Sequence, residues 1–102
     1  MTNVAVMHRP ALSRFEAMSG EEVVGYLSYE TIGGTVDIQH TVVEPSHRHK
    51  GIGAALVEET LREIRAEKLH VRATCPFVAD YIEQNPEHQS LLEPSLAPED
   101  LS

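Results

Sequence analysis

Tryptophan is absent from this chain, cysteine occurs once, and the 8 lysines and arginines face 16 acids. Each shortage excludes something. A single cysteine permits no internal disulfide, so nothing here demands an oxidising compartment. Aromatic residues make up only 5%, too few for a platform on which nucleic-acid bases stack. A formal net charge of -8 at pH 7 argues against a phosphate-backbone partner, and no nucleic acid is expected. The same charge permits a cationic substrate such as an amine. The longest apolar stretch, residues 51–57, is far too short to span a bilayer, and residues 1–9 lack a basic-then-apolar leader pattern. The expectation is a cytoplasmic protein without a membrane partner.

What is present reads as one small globular domain. Hydrophobic content of 41% and charged content of 24% are ordinary for a packed core under a solvated surface. At 102 residues such a domain folds alone but leaves little area for a second site. The domain is expected to occupy residues 1–92. Residues 93–102 are acidic and proline-containing and are expected to be a disordered tail.

Residues 42–57 organise the rest. A β-branched end, Val42-Val43, passes through Pro45 and a basic patch into Gly51-Ile52-Gly53 and a helical pattern. A strand–turn–helix of this kind aims free backbone N–H groups, with partial positive charge, at whatever lies beyond the turn. Such a site suits phosphate. Gly51 and Gly53 carry no Cβ to hold a ligand away, and Arg48 and Lys50 add positive charge. Two phosphate motifs fail. Leu56 stands where the dinucleotide fingerprint needs a third glycine or alanine, and Lys50 precedes the glycines where a P-loop needs lysine after them.

Taken in order, residues 4–7 suggest a short first strand. Residues 14–18 and 23–29 alternate polar and apolar around a turn, and residues 35–43 follow the Gly33-Gly34 turn. These strands predict an antiparallel meander, in which Gly25 marks a bulge or a close backbone contact. Val57, Leu61 and Ile64, with Ile52 and Leu56 beside them, predict a helix over 51–68. Its charges, including a Glu58–Arg62 pair, form a solvated face with no assigned function. Residues 69–75 predict a strand parallel to the third of the meander, reached by a right-handed crossover. Pro76 opens a second helix over 76–84, which Asn85-Pro86 ends. The fold class is mixed α/β.

Two side chains invite chemistry. Alternation places His40 on one face with Val36, Ile38 and Val42, as a core histidine with one hydrogen-bond partner or as a base at a cleft mouth. Cys75, directly before Pro76, lies at the N-cap of the second helix. It is a small buried hydrophobe or a thiol whose thiolate the helix dipole favours. His47, His49 and His40 have metal-ligating types, but no carboxylate or cysteine has matching spacing, and no metal is expected.

Val43-x-Pro45-x-x-Arg48-x-x-Gly51-x-Gly53 at a helix start resembles the acyl-CoA pyrophosphate loop of the GNAT superfamily of N-acetyltransferases. Arg14-Phe15-Glu16, Gly25-Tyr26-Leu27-x-Tyr29, His40-Thr41 and Cys75-Pro76-Phe77-Val78-Ala79-x-Tyr81-Ile82 extend the likeness to a compact subfamily. The resemblance implies a minimal GNAT-like fold that binds acetyl-CoA through Arg48, His49, Lys50, Gly51, Ile52, Gly53 and Ala54, with the pantetheine arm along the strand of Val43. It implies acetyl transfer to an unknown amine or thiol acceptor, with Cys75 and His40 at a gap between neighbouring strands. Tyr81 resembles the phenol that protonates the leaving thiolate, or is a packing residue; Asn85-Pro86 replaces the Gly-Phe expected after it.

The likeness also stops short. Too few residues separate Met7 from Arg14 to hold the two helices that usually form part of the acceptor pocket, and the last two strands of the usual sheet have no counterpart. A non-catalytic acyl-CoA-binding module or sensor is therefore the alternative function, and a plain interaction domain the third. A monomer or weak homodimer is expected.

Overall fold

The computed structural model describes residues 4–93. Five strands form one sheet in chain order: β1 (Ala5–Arg9), β2 (Arg14–Ser19), β3 (Glu22–Ile32), β4 (Thr35–Val43) and β5 (His70–Ala73). The first four run antiparallel as a meander, and β5 joins β4 in parallel. Helix α1 (Ile52–Ala66) makes the crossover between β4 and β5, and α2 (Pro76–Gln84) follows β5. This is the mixed α/β arrangement the sequence leads one to expect. Between β1 and β2 stands a single 3-10 turn, Pro10–Leu12, so the two-helix lid is absent there.

The apolar stripe of α1 explains why it lies across all five strands. Ile52, Leu56, Val57, Leu61 and Ile64 are buried against Phe15, Ala17, Leu27 and Ile38 of the sheet. Each such side chain contributes about 1.5–3 kcal/mol on leaving water. Thr60 enters the same face because its hydroxyl donates to the Leu56 carbonyl at 2.7 Å, which satisfies its one polar atom.

Two β-bulges set which side chains look where. In the β3–β4 ladder Ser28 opposes His40 and Tyr29 opposes Ile38, leaving Gln39 without an opposite residue. One extra residue reverses the alternation beyond it. His40 therefore does not continue the row of Val36 and Ile38: it is exposed, and Thr41, opposite buried Leu27, turns to the core side in its place. The core-histidine reading is corrected by this slip. The second bulge falls between β2 and β3, where Val24 is the extra residue beside Gly25. A Cβ on Gly25 would lie 2.9 Å from the Val42 carbonyl oxygen and 3.4 Å from Ile52. Both expectations for Gly25, bulge and close contact, are met.

Beyond α2 the chain forms a 3-10 stretch, Pro86–Leu91, that the sequence reading leaves unassigned. Buried Leu91 anchors it in the core. Leu92 bridges to Val71 in parallel, the Glu93 N–H donates to the Val71 carbonyl at 3.0 Å, and Arg72 pairs with Glu93. Residue 93, where the tail was expected to begin, is thus held on the edge of β5; residues 94–102 lie outside the described part. Among the described residues no helix is long and apolar enough to cross a membrane.

Candidate functional site

After β4 the chain takes one 3-10 turn, Pro45–His47, and then two left-handed residues, His49 (φ 66°) and Gly51 (φ 78°). Gly51 is the N-cap of α1, and no side chain caps the helix. Its carbonyl accepts from the Ala55 N–H at 3.0 Å, so the N–H groups of Ile52, Gly53 and Ala54 have no partner within the helix. The first turn carries no acid. A helix end left uncapped, with no carboxylate competing for its dipole, is prepared for an anion.

These N–H groups border a groove of about 590 Å³. Thr41, Val42 and Val43 line one side, residues 47–49 and 51–54 another, and Phe77 of α2 a third. Of the residues expected to hold the cofactor, Val43, Arg48, His49, Gly51, Ile52, Gly53 and Ala54 line it, and Lys50 stands outside the lining. Phe77 is 46% exposed, and its ring comes to 3.0 Å of where a Cβ on Gly53 would lie. The absence of a side chain at 53 therefore makes room for a phenyl ring, as well as for a ligand.

Cys75 sits, as expected, at the N-cap of α2. Its N–H donates to the Ile38 carbonyl at 3.0 Å, and its carbonyl accepts from Val78 and Ala79, each at 3.1 Å. The main chain is pinned on both sides, and Cys75 is 6% exposed. Sγ lies 3.7 Å from the Thr41 hydroxyl oxygen. Cys75 does not itself line the groove, whereas Thr41 does, so Thr41 is the residue that touches both. His40 lies exposed on the opposite face of β4 from Thr41, because neighbouring residues alternate.

Tyr81 stands apart from this site. Its hydroxyl donates to the Glu58 carboxylate, and its ring stacks on His88 with centroids 6.1 Å apart. Burial, then the bond to Glu58, push the phenol up to about 12. The bond from Tyr81 holds the Glu58 carboxyl below its ordinary value, with His88 Nε2 at 3.0 Å helping. The phenol lies outside the groove lining, engaged by Glu58. Glu58 is likewise no idle charge: Arg62 pairs with Glu59 instead, and Glu58 ties α1 to α2 and to the segment after it.

Thr41, Val42, His47 and Phe77 line the groove without having been expected to, and Thr41 and Phe77 bear most on the site. Both were in view, as the second residue of His40-Thr41 and the third of Cys75-Pro76-Phe77. Only the bulge at Gln39 and the docking of α2 on Gly53 reveal what they face.

A family model described as GCN5-related N-acetyl-transferase matches residues 14–91. Protein NATD1 of Xenopus tropicalis is 36% identical over 66 residues, which are 64% of this chain and 61% of that protein. Protein NATD1 of Danio rerio is 29% identical over 92 residues, 88% of this chain and 84% of that one. Among solved structures, a GCN5-like protein of Staphylococcus aureus superposes with a TM-score of 0.71 over 93% of each chain, at 20% identity. The PaiA N-acetyltransferase of Thermoplasma acidophilum, solved with coenzyme A, gives 0.59 over 71% of this chain and 48% of that one, at 16% identity. At such identities these structures speak for the fold, while the family model covers most of the sequence. The chain belongs to the GCN5-related N-acetyl-transferase family.

Proposed function

We propose that this protein binds acetyl-CoA in the 590 Å³ groove and transfers the acetyl group to an amine or thiol acceptor by way of Cys75. One observation carries the reading: the groove begins at the uncapped N-terminus of α1 and reaches Thr41, which touches the Cys75 thiol. The pyrophosphate would take the N–H groups of Ile52, Gly53 and Ala54, and Arg48 would add charge at the rim. The pantetheine arm would follow the β4 backbone at residues 41–43. Coenzyme A in a solved member of this fold supports the choice of ligand.

The chemistry is a double displacement. The Cys75 thiolate forms a bond to the thioester carbonyl carbon, the bond from that carbon to the CoA sulfur breaks, and CoA leaves with the electron pair and takes up a proton. The acceptor's lone pair then attacks the acetyl-Cys75 carbonyl, expelling the Cys75 thiolate as the acceptor loses its proton. Among the described residues one turn stands between β1 and β2 where a two-helix lid would lie, and a covalent intermediate can wait for its acceptor.

The test is intact mass after mixing with acetyl-CoA, read alongside calorimetry with CoA. Wild type should gain one hydroxylamine-labile acetyl group, and Cys75→Ala should gain none. The second reading is a non-catalytic acyl-CoA-binding module, favoured by the burial of Cys75 and by the engagement of the Tyr81 phenol with Glu58. Tight CoA binding with no adduct between pH 6 and 9 would select it.

A further inference from the structure

We infer that Thr41 is the positioning residue for Cys75: its hydroxyl holds the thiol at the groove and donates to the thiolate when that forms. The inference rests on the reading of Cys75 as acetyl carrier. Three observations converge. The Sγ–Oγ1 separation of 3.7 Å is within hydrogen-bond reach for sulfur. Thr41 lines the groove and Cys75 does not, so a thioester arriving along β4 meets Thr41 first. The bulge at Gln39 turns Thr41 inward and His40 outward, leaving the hydroxyl as the polar side chain on this strand that meets the sulfur.

The hydroxyl suits both charge states. A hydroxyl is donor and acceptor at once, so it accepts from the S–H of the resting thiol and turns to donate to S⁻. A buried thiolate without such a donor is disfavoured, because burial penalises charge. The sulfur has little freedom to find another partner. Its main chain is fixed by Ile38 on one side and by Val78 and Ala79 on the other. The geometry therefore sets Thr41 against the sulfur, while His40 is exposed on the other face of β4.

Thr41→Val keeps the shape and removes the hydroxyl; Thr41→Ser restores it. The first readout is the rate at which iodoacetamide alkylates Cys75 at neutral pH without acetyl-CoA. The second is the rate of acetyl adduct formation, with the CoA Kd measured on each variant. Thr41→Val should alkylate about tenfold more slowly and, at saturating acetyl-CoA, acetylate at least as much more slowly. Thr41→Ser should recover most of both rates. If Thr41→Val does not fold, Thr41→Ala takes its place. Alkylation at the wild-type rate or faster in the valine variant, or no recovery with serine, overturns the inference. Because alkylation needs no acetyl-CoA, a wild type that forms no adduct sinks the proposed transfer while this test still reads the Thr41–Cys75 pair.

Discussion

The ring of Phe77 rests on the backbone of Gly53, its nearest atom 3.0 Å from the position a Cβ would take. The start of α2 is thereby docked on the start of α1, and two residues after Cys75 the chain walls the groove. Gly53→Ala should therefore cost stability through crowding, though less than about 1 kcal/mol, because the half-exposed Phe77 ring can shift and alanine is the better helix former. Phe77→Ala in the same chain should remove much of that cost. Urea denaturation of both single variants and the double gives the coupling; additive effects would mean that the two residues do not meet.

Gly51 has a different reason to be glycine. At φ 78° it is left-handed, a conformation costing other residues about 1–2 kcal/mol and β-branched ones most. Gly51→Val should distort the N–H array and weaken CoA binding by about thirtyfold, or ~2 kcal/mol, by calorimetry. A folded variant that binds CoA like wild type would move the phosphate site elsewhere.

Tyr81→Phe removes a hydroxyl bonded to Glu58 outside the groove lining. The expected outcome is a loss of about 1 kcal/mol in stability, with CoA affinity and acetyl adduct formation within twofold of wild type. A large loss of adduct rate at unchanged stability would return the phenol to the chemistry.

The same pair sets a pH window. Glu58 is held below its ordinary 4.5, so its contribution is present above that value and is lost as pH falls through the lower, folded-state value. Tyr81 is raised from 10.0 to about 12, so its contribution is full below 10 and is lost as pH rises toward 12. Glu58→Gln should flatten the acid side of the stability–pH curve relative to wild type. Chemical denaturation from pH 3 to 11 checks both limbs.

His40, exposed on the far face of β4, should be dispensable for forming the acetyl-cysteine. His40→Ala is expected to change stability by less than about 0.5 kcal/mol and to leave adduct formation within twofold. Discharge of the adduct to an added amine should likewise stay within twofold, because His40 faces away from the side of β4 where Thr41 meets the Cys75 sulfur. Single-turnover mass spectrometry separates the two half-reactions. Slowed adduct formation would restore His40 as the base for the thiol.

Much of the architecture was legible along the chain because it rests on local rules. The period of Val57, Leu61 and Ile64 marks α1, Pro76 opens α2 at its first residue, and the glycine-rich stretch after Val43 announces an uncapped helix start. Gly25 even signalled a close approach, though not to which atom. The facing of His40 and Thr41 was not legible, since a bulge depends on how two strands register and leaves no local mark at Gln39. Nor were the partners of Tyr81 and Phe77 legible, because Glu58 and Gly53 lie on another helix brought near only by packing. Composition and spacing determined the elements and the glycine-rich helix entry, which are properties of neighbours in sequence. The tertiary structure decided which polar group meets the lone thiol, since a one-residue slip in a ladder exchanges the two faces of a strand.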